Sequence, residues 1–586
     1  MNIQRSIIEP ICTFIIIGGI ILGIQLGYVY FLISALSLLV LIITNKRKKK
    51  IFHQLYIKTL KDQWGKDHKE KRDFLNIRKL YDLFHKEEYD NFTIDDITWR
   101  DLNMDSVFCK IDHTKSFPGM QYLYNILRNP IFNENILKER NDTINLLLRK
   151  KDIAQEIQYP LSMLGKKQTK EILLYFKDGF KIKTNPLILY RLLSCFSYIS
   201  IVLLLINRQL GFAILMGVIA VNASIYQSNK YKIEEEIETF RYISSLVKCA
   251  ERIVKIDTGE IDINKERLVS LLKQTKQIYK NVSALNTNSS GSTETQIIVD
   301  YINMITLREA IIFYKTINLI NKHKSELFAI YNHIGMIDAY ISIASYKDGL
   351  KYYTEPSLIK DNTRFYLKTE EIYHPLLDKP VPYSFEFNNR GALITGSNAS
   401  GKSTYLRTIG INALFAQTFS IALAKNYSAN YFKLLTSIGT TDSIVEGDSY
   451  FMAEAKSLKR IIDILDTSQP VLCILDEIFR GTNTAERISA ATEVLNYMID
   501  NNSLVVAATH DLELTSIVND KFNNYHFRET IEENDIKFDY ILRHGPATSR
   551  NAIAILKYLG YPKEIYENSN NRVEEYEIIK ISKMRS

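Results

Sequence analysis

The run from Gly396 to Ser403, GSNASGKS, fits the spacing G-x-x-x-x-G-K-[ST]. Each fixed position has a chemical reason. Gly396 and Gly401 let the backbone curl so that its N–H groups face phosphate oxygens. Lys402 is placed to reach the β- and γ-phosphates of a nucleotide, and the Ser403 hydroxyl to hold Mg²⁺. Ser397, Asn398, Ala399 and Ser400 form the rest of the cradle, and Thr404 follows it. A helix expected from Ser403 to about Gln417 turns its positive end toward the anion. The chemistry on offer is the binding of a nucleoside triphosphate, with ATP and Mg²⁺ as the expected pair.

A second segment supplies the rest of such a site. Val471 to Leu475 is continuously apolar, as for a strand buried on both faces, and Asp476 and Glu477 follow at its carboxyl end. Ligands bind at that end in open α/β sheets. Asp476 is expected to hold Mg²⁺ through water, and Glu477 to orient or activate the attacking water. A third apolar run, Leu504 to Ala508, ends in Thr509 and His510. A histidine on its own is more often structural. At a strand end that follows an Asp-Glu pair, His510 is expected to sense the γ-phosphate.

These segments need a P-loop α/β domain to position them, expected over 356–565 with Pro356 at its start. The rest of the chain is of another kind. At 586 residues there is room for three or more domains. The 74 basic and 66 acidic residues leave +8, which permits a polyanionic partner without requiring one. Cys12, Cys109, Cys195, Cys249 and Cys473 show neither metal-ligand spacing nor a disulfide framework, which fits a reducing compartment.

Two pairs of apolar stretches stand out: about Ile11–Ile24 with Val29–Ile43, and about Leu187–Ile206 with Leu210–Ile225. Each stretch is near the lower limit for crossing ~30 Å of hydrocarbon. A signal peptide is a poor reading of the first, because a second apolar run follows at once and no clear small-residue cleavage site does. Two buried helical hairpins are the plainer alternative. Charge placement favours the membrane. Five consecutive cations, Lys46 to Lys50, follow the first pair. Lys177, Lys181 and Lys183 precede the second pair, Lys230 and Lys232 follow it, and Arg208 stands alone at its tip. By the positive-inside rule, four transmembrane helices with cytoplasmic ends are expected, in a cell (inner) membrane, with the nucleotide site in the cytoplasm. Gly19, Gly23 and Gly27 recur every four residues, a spacing that lets helices pack closely.

The expected organisation is a transmembrane hairpin with a basic end (1–50) and a charged helical linker (51–95, helical over Lys66–Arg72 and Phe74–His85). An all-α core (96–355), interrupted by the second hairpin at 187–226, then leads to the ATPase-type domain (356–565) and a charged tail (566–586). Asn286–Thr295, rich in Ser, Thr, Asn and Gly, reads as an internal linker or loop tip.

Taken together, these residues resemble the MutS family of DNA mismatch-repair ATPases. Thr395–Arg407 looks like the family's T-G-P-N-x-G-G-K-S-T-Y-x-R, and Asp476–Thr484 like D-E-I-G-R-G-T-x-T, with Phe479 in place of a glycine. Glu446-Gly447-Asp448-Ser449-Tyr450-Phe451-Met452 looks like G-x-S-T-F-M, Ala508-Thr509-His510 like A-T-H, and Gly545, Ala547 and Ser549 echo a late element. Upstream, Asp112–Pro130 and Ile337–Ala344 resemble the start and end of the family's lever-and-core helices. The resemblance implies a composite site in a homodimer, with Ser449 of one protomer meeting the phosphate held by the other, and DNA as a candidate partner.

There are departures. Ser397 and Ser400 replace a proline and a glycine of the loop, and Asp448 replaces the usual arginine before the trans serine. The first 90 residues carry no Phe-x-Glu wedge of the kind that reads mismatches. The expectation is a membrane-anchored MutS-like ATPase without the mismatch-recognition domain. The alternatives are an ATP-driven membrane transport or remodelling motor, for which no L-S-G-G-Q is present, and a nucleotide-switched scaffold for a protein partner.

Overall fold

The computed structural model describes residues 8–67, 71–85, 92–167, 172–182, 186–286, 293–361, 364–397, 400–439, 450–465, 469–479, 482–532, 535–547, 553, 556 and 559–573. Asn398 and Ala399 of the phosphate loop, Ser449 with the segment before it, Ser549, and 574–586 of the tail lie outside the described residues.

The chain begins with α1 (Ile8–Leu26) and α2 (Val29–Gln63), joined at Gly27, whose φ of +135° suits glycine alone. The two run antiparallel: Ser34 Oγ donates to Ile16 O and Ser37 Oγ to Cys12 O. A Cβ on Gly19 would stand 2.4 Å from Ser34 Oγ, and one on Gly23 would stand 2.9 Å from the Phe31 ring. Of the three spaced glycines, two are therefore points of close approach and the third makes the turn. Large apolar side chains on both helices face outward, Phe14 and Leu32 among them.

The hairpin does not end at the basic run. α2 continues through it to Gln63, because lysine and arginine are good helix formers and nothing before Gly65 breaks the pattern. The helix expected over Lys66–Arg72 differs: residues 66–67 and 71–73 are non-helical. Asp73 instead caps α3 (Phe74–Ile77) by accepting from Asn76 N, and α4 (Lys79–His85) follows.

The helical core contains α5 (Asp96–Asp101), α6 (Met104–Ile111), α7 (Phe117–Arg128), α8 (Glu134–Arg149), α9 (Lys151–Leu164) and α10 (Ile172–Asp178). The second hairpin is α11 (Pro186–Ile206) and α12 (Arg208–Val254), and here too the second helix outruns the apolar stretch. Then come α13 (Lys265–Asn286), α14 (Thr293–Thr306), α15 (Arg308–Lys322) and α16 (Lys324–Gly349). α2, α11, α12 and α16 are long and apolar enough to cross a membrane, and α1 is a shorter apolar helix. Burial separates them. The most apolar window of α16 is 72% buried, so α16 is the central helix of the core; those of α2, α11 and α12 are 11%, 22% and 17% buried.

A buried carboxylate ties α16 to α7. Asp338 accepts from Lys115 N, Ser116 N and Ser116 Oγ at 3.0, 2.7 and 2.5 Å. Burial pushes its pKa up to about 6, against the pull of those hydrogen bonds. Gly119 packs directly on it, since a Cβ there would lie 2.2 Å from Asp338 Oδ2.

The C-terminal part adds β1 (Ser357–Ile359), β2 (Tyr366–Ile372), β3 (Tyr383–Asn388), β4 (Gly391–Thr395), α17 (Lys402–Phe419), β5 (Asn426–Asn430), β6 (Lys433–Ser437) and α18 (Tyr450–Ile462). It continues with β7 (Val471–Asp476), α19 (Thr484–Asp500), β8 (Ser503–Ala508), α20 (Leu512–Ile517), β9 (Phe522–His526), β10 (Glu529–Glu532), β11 (Asp535–Phe538) and β12 (Arg543–His544). One sheet has the order β1-β5-β2-β3, β10 and β11 form a separate antiparallel pair, and a six-stranded sheet, β12-β9-β4-β8-β7-β6, is parallel except at β12. β4 and β8 are buried throughout and β7 up to its last residue, as the unbroken apolar runs require. Asp101 joins this domain to the helical core. Its carboxylate accepts from Thr436 Oγ1 (2.8 Å) and Ile438 N (2.9 Å), and its carbonyl accepts from Arg407 Nε of α17 (2.7 Å).

Candidate nucleotide site

β4, β8 and β7 are neighbours, with Ile394 and Asp476 both in register with Ala508, so their carboxyl ends lie side by side. Two backbone bonds fasten the ends together: Thr509 N donates to Ile394 O and Glu477 N to Ala508 O, both at 2.9 Å. The loop after β4 needs its glycines. Gly396 has φ +140°, and a Cβ there would stand 3.0 Å from Phe527 O and from Ser400 Oγ. Gly401 has φ +100°, and its missing Cβ leaves room for the Tyr540 ring at 3.0 Å.

The side chains singled out from the sequence converge. Lys402 is 1% exposed, and its Nζ donates to Gly396 O (2.6 Å) and Ser397 O (2.9 Å). Ser403 Oγ donates to Asp476 Oδ2 at 2.6 Å. Glu477 Oε1 is 2.9 Å from His510 Nε2, which lies 3.5 Å from Lys402 Nζ. The Glu477 side chain is 10% exposed and that of His510 43%, so the carboxylate sits inside and the imidazole at the open side.

The turn after β7 is unusual. Glu477 (φ +54°) and Phe479 (φ +60°) are both left-handed, a conformation that costs a bulky residue about 1–2 kcal/mol. Phe479 stands where the resembling family has glycine. It is held there by its ring, which is buried and packs on Phe451 of α18 with centroids 5.6 Å apart.

ATP and Mg²⁺ are implied, and the residues fit them. The curled glycine loop at the start of α17 offers backbone N–H groups to phosphate. Ser403 and Asp476 are the oxygen donors that Mg²⁺ prefers, and that ion takes its remaining ligands from phosphate and water. Among the described residues no group of three or more His, Cys, Asp and Glu could hold a metal unaided. Chemically, the arrangement can cradle a triphosphate, hold its metal and orient a water beside Glu477.

The sequence carries no local signal for Tyr540, which reaches Gly401 from a distant segment. Nor does it mark the role of Thr395, which is fully buried, donates to Tyr525 O (3.2 Å) and accepts from Ala547 N (2.8 Å). Those bonds explain why the late Gly545–Ala547 element belongs to the site. Arg487 forms a two-pronged pair with Asp511, at 2.9 and 2.6 Å, beside His510.

His374 gives this domain a pH dependence. Burial, with Arg407 adding to it, pushes its imidazole down to about 4, and its Nδ1 accepts from Leu376 N at 3.2 Å, which a proton would prevent. The folded state therefore keeps His374 neutral while the unfolded chain protonates it near 6.5. The stability it contributes is whole above pH 6.5 and falls as pH drops toward 4, by about 3 kcal/mol. Melting curves across that window should show His374→Gln to be flatter than the wild type; parallel curves would exclude this origin.

Residues 392–577 match the family model described as MutS domain V. DNA mismatch repair protein MutS 2 of Haloarcula marismortui is 32% identical over 228 residues, 36% of this chain and 24% of that protein. DNA mismatch repair protein MutS of Thermus thermophilus is 30% identical over 200 residues, 33% of this chain and 24% of the relative. The protein of the same name from Methanosarcina mazei is 28% identical over 316 residues, 52% of this chain and 34% of the relative. The chain thus aligns with between a quarter and a third of the length of these relatives.

Proposed function

We propose, from the match of residues 392–577 to MutS domain V, that the chain is a membrane-anchored MutS-family ATPase that closes as a homodimer and acts on DNA without reading mismatches. The observation that carries the reading is the convergence of Lys402, Ser403, Asp476, Glu477 and His510 on the ends of three adjacent strands. Lys402 and the loop N–H groups bind the β- and γ-phosphates. Ser403 and Asp476 hold Mg²⁺, which neutralises phosphate charge when bound. Glu477 orients the water and takes its proton, and His510 touches Glu477 from the open side, next to where the γ-phosphate would lie. Ser449 of a second protomer completes the site, so turnover depends on dimerisation.

Anchoring is supported by the outward-facing apolar side chains of α1, α2, α11 and α12 and by the cations that flank them. The bilayer is the cell (inner) membrane, with the ATPase domain on the cytoplasmic side. The test is ATPase activity of the detergent-solubilised protein with and without linear, mismatched and branched DNA at fixed low salt, beside Lys402→Ala. Stimulation that vanishes in the variant upholds action on DNA. Robust activity indifferent to every DNA transfers the motor to a membrane or protein substrate, and activity that survives Lys402→Ala removes the site assignment.

A further inference from the structure

The candidate membrane helices α11 and α12 carry polar residues that lipid would not tolerate: Ser194, Ser197, Ser200, Asn222 and Asn229 are all buried, while Phe196, Ile199, Val202 and Val221 on the same helices are exposed. Their partners explain them. Asn222 Nδ2 and Ser197 Oγ both donate to Ile305 O, at 2.6 and 2.7 Å. Ile305 is in the last turn of α14, whose final carbonyls have no helical partner because Leu307, at φ +51°, breaks the path before α15. A buried elbow of backbone is thus satisfied from the side of the hairpin.

Three layers of contact fix the direction of the elbow. Its apex, Ile305, is level with Asn222 and Ser197. One turn further from the hairpin tip, Tyr226 OH donates to Asp300 of α14 (3.1 Å), and Lys230 lies 3.8 Å from the same carboxylate. Beyond that, Tyr314 of α15 donates to Asn229 Oδ1 (2.9 Å), whose Nδ2 donates to Tyr190 OH (3.1 Å). Both α14 and α15 therefore lead away from the tip, and the apex is the deepest point. Tyr226 and Lys230 mark the end of the apolar stretch; Asn222, four residues nearer the tip, is about 6 Å further in at 1.5 Å per residue. On the elbow, Tyr301 and Ile302 are 59% and 47% exposed and Arg308 is exposed.

We propose that the α14–α15 elbow is a fifth membrane element, one that does not span but dips into the cytoplasmic leaflet beside the second hairpin. The occupant of its outer face is the lipid boundary layer. Elements of this kind bury themselves about 5–10 Å, which matches the apex. α14 and α15 both pack against α11 and α12, the helices whose outer sides are apolar and exposed. Since α15 leads into α16, the central helix of the core is joined directly to a segment seated in lipid.

This inference rests on the membrane reading above, and the experiment separates the two. Spin labels are placed singly at Ile302→Cys, Val202→Cys and Lys273→Cys in a Cys109→Ser, Cys195→Ser background, in nanodiscs of phosphatidylethanolamine and phosphatidylglycerol. Access to oxygen is compared with access to a water-soluble nickel chelate. Oxygen should be favoured at 302 and at 202, on the exposed side of α11, and nickel at 273, which is exposed on α13. If 202 favours oxygen while 302 matches 273, the elbow is not in lipid although the second hairpin is. If 202 also favours nickel, the membrane reading of that hairpin falls and takes this inference with it.

Discussion

Glu477→Gln should bind ATP as tightly as the wild type and turn it over about 10²–10⁴-fold more slowly, the usual range for losing a general base. The substitution is nearly isosteric. The amide oxygen can still meet His510 Nε2, now 2.9 Å from Glu477 Oε1, and the left-handed backbone at 477 is unchanged. Lys402, Ser403 and Asp476, the residues proposed to bind phosphate and metal, are untouched. Only the capacity to accept a proton and carry charge beside the water is lost. Equilibrium binding of a fluorescent nucleotide and phosphate release measured on the same preparation separate the two effects. Wild-type turnover in the variant would remove Glu477 from the role of base. A parallel loss of binding would mean that the carboxylate holds the site together instead.

Gly119→Ala should destabilise the helical core by about 3–5 kcal/mol. The new methyl would fall 2.2 Å from Asp338 Oδ2 and 2.7 Å from Asp338 Cβ, so the carboxylate must leave its place. Overpacking alone costs about 1–3 kcal/mol. Displacing Asp338 also breaks its bonds with Lys115 N, Ser116 N and Ser116 Oγ, and each buried polar group left unpaired adds about 1–3 kcal/mol. Urea unfolding followed by helix signal reads the loss. Asp338→Gly removes both the carboxylate and the Cβ that the methyl would strike, so the double variant should be much less damaged than the sum of the two single changes. Strict additivity would show that the clash is not the cause.

The site was legible because its residues are contiguous or end apolar runs. The glycine-lysine-serine loop is read directly, and the strands before Asp476 and His510 declare themselves by unbroken apolar stretches that only a buried parallel sheet accommodates. Their adjacency in the order β4-β8-β7 then follows from the chemistry they must share. What was hidden is what comes from across the fold. The ring of Tyr540 against Gly401, the bonds of Thr395 and the ring pair Phe451–Phe479 depend on tertiary packing, for which no spacing rule exists. The hairpin bounds drawn at 50 and 226 fall inside single helices, α2 and α12, for a related reason: a change from apolar to charged residues alters what surrounds a helix without stopping it. At Lys66–Arg72 the opposite happened. The described residues of that charged stretch, 66–67 and 71–72, are non-helical, since Arg72 is drawn into a buried pair with Asp112 (2.5 Å) and Asp73 starts a new helix. Asn222 and Ser197 look like flaws in an apolar helix until Ile305 is seen beside them.

α2 and α12 pass from apolar to charged sequence as single unbroken helices of 35 and 47 residues. At 1.5 Å per residue these are rods of about 50 and 70 Å. A rod has no joint. Tilt of the helical core is carried along each rod, and a rotation of 10° moves the tip of α12, whose turns beyond Ile233 reach about 37 Å from the core, by about 6–7 Å. Both rods pack against α9, so the two are coupled at the core. The pair acts as a compass with fixed legs, and the quantity it transmits between the two ends of the molecule is an angle, with no slack in which to lose it.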